Sequence, residues 1–76
     1  MDVLKHIREQ VERDNYEFSI HAEREREDEH ILVEELEQSV ASGELLEDYL
    51  DDPRGRSCLI LGFTQGGRAI HSVWGL

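Results

Sequence analysis

A single cysteine, a single proline and a single tryptophan stand among 76 residues, and no apolar run approaches the roughly 20 residues needed to cross a bilayer. Each scarcity excludes something. One cysteine forbids an internal disulfide framework or a cysteine-based zinc knuckle, and it suits a reducing compartment. Lys5 and Arg8, set in an amphipathic pattern, leave the N-terminal stretch without the apolar centre of a signal peptide. The expected location is cytoplasmic, with no membrane association. A chain of this length makes one domain, residues 1–76, and buries only about 60% of the surface that it exposes when unfolded, which leaves room for one small site. No cofactor is expected. No metal is expected either, because His6, His21, His30 and His71 lack ligand spacing.

Acid is what the chain has in excess: 18 acidic against 8 basic side chains give a net charge of −10. All of the acidic residues lie between Asp2 and Asp52, so the first 52 residues sum to −13, whereas residues 53–76 carry only Arg54, Arg56 and Arg68. Affinity for nucleic acid comes mostly from cations that replace counterions on phosphates, so a globally acidic chain binds RNA weakly unless a local basic patch offsets the repulsion. A general nucleic-acid coat protein is thereby excluded.

Val3, Leu4, Ile7 and Val11 recur at helical spacing behind Asp2, an N-cap residue, and predict a first helix over residues 3–14. Asp14-Asn15 ends it, and Tyr16 and Phe18 drop toward the core before Ser19 caps a second, highly charged helix over residues 20–28. Ile31, Val33, Leu36 and Val40 mark a third helix, with Leu32 in its cap position and Gly43 placed to close it in a left-handed conformation.

Beyond Gly43 the apolar residues fall into short runs separated by turn chemistry, which reads as strands. They cover residues 45–50, 58–63 and 69–74, joined by Asp51-Asp52-Pro53-Arg54-Gly55 and by Gln65-Gly66-Gly67. The run from Cys58 is apolar on both faces and is therefore central. An α+β fold follows, with about three N-terminal helices packed on one face of a three-stranded antiparallel β-meander. Cys58 inside the most apolar run reads as a buried small hydrophobe. The third strand is left with an open edge on which Ile70 and Trp74 stay partly wet, so self-association or partner binding through residues 69–76 is expected, strengthened by salt.

Four stretches then carry a resemblance. They are Tyr16-Glu17-Phe18-Ser19-Ile20-His21-Ala22, Ser42-Gly43-Glu44-Leu45-Leu46-Glu47-Asp48-Tyr49, Asp51-Asp52-Pro53 running into Ser57-Cys58-Leu59-Ile60-Leu61-Gly62, and Gly67-Arg68-Ala69-Ile70-His71. Together they resemble the bacterial domain-of-unknown-function 4258 family across nearly the whole chain. That family is distantly similar to compact ribonuclease toxins of the RelE and barnase type, and its members often sit beside zinc-finger antitoxins. The resemblance therefore implies a toxin-antitoxin-like fold, an antitoxin-like partner and, if there is any activity, a metal-independent endoribonuclease. Members commonly continue into a further strand, before which this sequence stops.

Metal-free RNA cleavage needs a base for the ribose 2′-hydroxyl, an acid for the leaving oxygen and a cation for the phosphate. His21 and His71 are the two imidazoles, and Arg24 and Glu25, three and four residues after His21, share its helical face. Tyr49 offers a hydroxyl and Arg26 a further cation in secondary places, although spacing turns Arg26 away from His21. Each residue also has a structural reading: His21 and His71 as packed histidines, and Arg24 and Arg26 as ion-pair partners within the Glu/Arg run. Three classes stay open: a ribonuclease-toxin-like domain, a non-catalytic interaction module, and a shortened family member that retains only the fold.

Overall fold

The computed structural model describes residues 2–76. Helix α1 spans Val3–Glu12, α2 Ile20–Asp28 and α3 Val33–Ala41, followed by strands β1 (Glu44–Tyr49), β2 (Ser57–Phe63) and β3 (Ala69–Gly75). The sheet is antiparallel in the order β1-β2-β3, so the α+β arrangement expected from the sequence is the one observed.

The caps explain the helix starts. Asp2 Oδ1 accepts from the Lys5 N–H at 3.1 Å, and Ser19 Oγ accepts from the Ala22 N–H at 3.0 Å. Leu32 has no oxygen to offer at the start of α3, but Glu35 reaches back and accepts from the Leu32 N–H at 3.0 Å, half of a capping box. Asp14 and His30 follow α1 and α2 in the left-handed region, at φ 53° and 56°, where glycine would be less strained.

Gly43 departs from expectation. Its φ is not positive, and α3 closes through Ser42 in right-handed geometry. Glycine is needed there for space: a Cβ would stand 2.6 Å from the Ser39 carbonyl oxygen and 2.7 Å from Ile60 Cγ2. Gly62 on β2 is more tightly held still, since a Cβ would overlap the Ser39 backbone. These two glycines let α3 press its backbone onto β2, and Ser39, which donates to the Leu36 carbonyl at 2.6 Å, fits in the seam.

Val3, Ile7 and Val11 of α1, Val40 of α3, and Cys58 and Ile60 of β2 form the core, with Leu4, Tyr16 and Trp74 packed on its margin. Arg8 ties α1 to the end of α3, donating to the carbonyls of Val40 at 3.0 Å and Gly43 at 2.8 Å. Burial pushes the Cys58 thiol above its ordinary pKa. The register of β2 with β3 pairs Cys58 with Trp74, Ile60 with Ser72 and Gly62 with Ile70 on the helix-covered face. Leu59 with Val73, Leu61 with His71 and Phe63 with Ala69 therefore occupy the other, outer face. Ile70 is only 3% exposed, against the expectation that it stays wet, because opposite the glycine at 62 it shelters beneath the chain's own helices. No helix among the described residues is long and apolar enough to cross a membrane.

Candidate functional site

Between α2 with its flanking loops and the free side of β3 runs a groove of about 1380 Å³. Among the described residues β3 pairs on one side only, with β2, so its other side opens onto this groove. The floor is aromatic. Tyr16 packs on Phe18 at 5.7 Å between ring centroids and on Trp74 at 5.5 Å. Its hydroxyl donates to Glu37 Oε2 at 2.7 Å; burial first, and then this carboxylate, push the phenol well above its ordinary pKa. Trp74 Nε1 donates to Ser72 Oγ at 2.8 Å, which satisfies the indole and leaves Trp74 half-buried.

Helix α2 forms the far wall, and none of its residues is buried. Its sequence alternates Glu and Arg without an apolar stripe, so it is held by polar ties. Arg68, just before β3, donates to the carbonyls of Glu29 at 2.7 Å and His30 at 3.4 Å. Arg26 pairs with Glu23, donates to the Ile31 carbonyl at 2.8 Å and lies 5.6 Å from the Phe18 ring centroid. The hydrogen bonds that Arg26 donates to Glu23 hold the Glu23 carboxyl below the usual carboxylate range.

Of the residues proposed from the sequence, His21 and Glu25 meet. His21 Nε2 stands 2.9 Å from Glu25 Oε1 on the solvent side of α2, with the His21 side chain 83% exposed. Both line the groove, as do Arg26 and His71. Arg24 does not: it lines a separate shallow hollow with Phe18, Ile20 and Val33. The two arginines thus exchange the places expected of them, because a run without apolar periodicity gives no phase to the helix. His71 follows the alternation of β3 onto the outer face, opposite Leu61, whereas α2 belongs to the helical layer. His21 and His71 nonetheless line one groove, and of the three residues expected to converge only Arg24 lies outside it. Tyr49 lies on β1, the opposite edge strand, where a hydrogen bond with Glu47 raises its pKa.

Sequence reasoning missed two contributors. His6 of α1 lines the groove, yet it stood out in the sequence only as one of four scattered histidines. Arg8 reads as an ordinary polar-face residue because its carbonyl partners lie 32 and 35 residues away.

The groove can accept an extended segment: it offers a strand edge, an aromatic floor, and a rim that mixes Glu17, Glu25 and Glu29 with His6, His21 and Arg26. No curated protein and no solved structure matches the chain. A family model described as "Domain of unknown function (DUF4258)" matches residues 18–76, which takes in α2, α3 and the whole sheet and leaves α1 outside. On that match the chain belongs to the DUF4258 family.

Proposed function

We propose that this domain is an interaction module that binds by strand addition, pairing the free edge of β3 with a second copy of the chain or with an extended segment of a partner such as an antitoxin-like protein. One observation carries the reading: β3 has a single neighbour among the described residues, and its free side faces a groove large enough for another strand. Main-chain hydrogen bonds along such an edge supply affinity, and the Tyr16 and Trp74 rings beside it supply a place for alternate side chains. Acidic residues are absent from residues 53–76, but Glu17, Glu25, Glu29 and Asp52 line the groove and oppose a second acidic copy, and salt screens that repulsion.

Sedimentation equilibrium over a range of ionic strength tests this directly. The expected result is a reversible dimer that grows with salt and is lost in Val73→Pro, whose amide faces away from β2, with circular dichroism of the variant reporting that the helices persist. A monomer at millimolar concentration and high salt counts against the self-pairing form.

A second reading, a metal-independent endoribonuclease of the toxin type, draws support from His21, Glu25, Arg26 and His71 lining one groove. The net charge of −10 and the absence of Arg24 from the groove weigh against it. Under the interaction reading, purified protein leaves a mixed single-stranded RNA intact at low salt. Cleavage that disappears in His21→Ala reverses that preference.

A further inference from the structure

Helices cover one face of the sheet, and the outer face has no layer over it among the described residues. Register gives its composition position by position. Glu44 and Leu61 lie in one row with His71, Glu47 and Leu59 in the next with Val73, Tyr49 and Ser57 beside Gly75, and Phe63 beside Ala69. The centre is apolar, with Val73 67% and Phe63 51% exposed. The β1 side carries Glu44 and Glu47, and no lysine or arginine occupies any position of this face. A sheet face of this kind is ordinarily closed by a second layer.

We infer that the outer face of the sheet docks a basic amphipathic helix of a partner protein, leucine-like side chains on Leu59, Leu61, Phe63 and Val73 and cations beside Glu44 and Glu47. This goes beyond strand addition at β3 and centres on β2, whose Leu59, Leu61 and Phe63 lie outside the groove. The dimensions fit one helix. Three strands about 4.8 Å apart span roughly 10 Å, the diameter of a helix with its side chains, and the run from Leu59 to Phe63 extends about 13 Å, the length of about nine helical residues. Charge selects the occupant. A second copy docked face to face would add its own Glu44 and Glu47 without a lysine or arginine to meet them, and a net charge of −10 turns away anionic lipid and RNA alike. A cationic helix is favoured both at the rim and by the long-range field.

The test uses a synthetic helical peptide of about 18 residues, leucine at i, i+3, i+4 and i+7 and lysine elsewhere, and a second peptide with every leucine replaced by glutamine. Binding to the intact protein is followed by amide chemical shifts. The leucine–lysine peptide should give saturable shifts centred on Leu59, Leu61, Phe63 and Val73, and should become helical on binding. Phe63→Asp should weaken it at least about tenfold, and Glu44→Lys with Glu47→Lys should do the same without removing any apolar contact. The glutamine peptide should not bind at these residues. The inference is overturned if neither peptide shifts the outer face, if both do so equally, if Phe63→Asp leaves affinity unchanged, or if the protein alone shows concentration-dependent shifts at Leu59, Leu61 and Phe63 that mark a face-to-face dimer. Leu59, Leu61 and Phe63 belong to β2 and do not line the groove, so shifts at these three separate the outcomes: failure of strand addition at β3 does not alter them, and failure here leaves strand addition standing.

Discussion

The seam between α3 and β2 and the wall formed by α2 are built on opposite principles. In the seam, backbone meets backbone: Gly62 and Gly43 give up side chains so that Ser39 and Val40 can reach Ile60 and Cys58, all buried. Helix α2 buries nothing and hangs on a cap, an arginine ion pair and the carbonyl contacts of Arg68. Close packing makes the seam intolerant of a single added methyl, whereas polar ties at a surface contribute little each. The stable half holds the sheet; the loosely attached half walls the groove on which β3 opens.

The widest gap should appear in glycine and alanine exchanges. Gly62→Ala pushes a methyl into the Ser39 backbone and should lower stability by about 3 kcal/mol or more, read as a shift of the urea midpoint. Ala22→Gly in α2 adds only backbone freedom and should lower it by about 1 kcal/mol. Comparable losses would erase the contrast.

Arginines sharpen it at smaller scale. Arg8→Ala removes two hydrogen bonds to part-buried carbonyls at the end of α3 and should lower stability by about 2 kcal/mol. Arg68→Ala, whose carbonyl contacts are exposed, should lower it by less than about 1 kcal/mol while loosening α2, seen as faster amide exchange over that helix alone.

How far the sequence reaches depends on the kind of signal. Asp2 and Ser19 marked the starts of α1 and α2, and the alternation through residues 58–63 marked β2 as central, since caps and periodicity are local. What touches an element from afar is not local. Nothing near Gly43 tells a left-handed turn from a close approach, because the approaching atoms belong to Ser39 and Ile60. The Glu/Arg run has no apolar residue to set its phase, so the assignment of Arg24 and Arg26 to faces was beyond reading. Alternation also put Ile70 on the face of Trp74 without showing that the helices already cover it.

Titration adds a pH dependence to the core margin. Tyr16 and Cys58 keep their protons in the folded state above the ordinary values of 10.0 and 9.0, so the unfolded chain binds fewer protons there and stability falls as pH rises through those values. Tyr16→Phe should flatten the decline in the upper part of that range and leave neutral pH nearly unaffected. Thermal melts between pH 7 and 11 should resolve it.

The smallest expected effect is favourable. His30 occupies a left-handed position after α2, and His30→Gly should raise stability by about 0.5–1 kcal/mol, with the Arg68 contact retained because it uses the backbone carbonyl. A loss would mean that the imidazole makes a contribution larger than the strain.

Amide hydrogen exchange along β3 tests the central claim most directly. Read at low protein concentration and low salt, alternate amides of Ala69–Gly75 should exchange as exposed groups while those of β2 are protected, and raising concentration and salt should protect the exposed set together with dimer formation. Protection of every β3 amide in the monomer, or a dimer that leaves the exposed set unprotected, would contradict binding by strand addition.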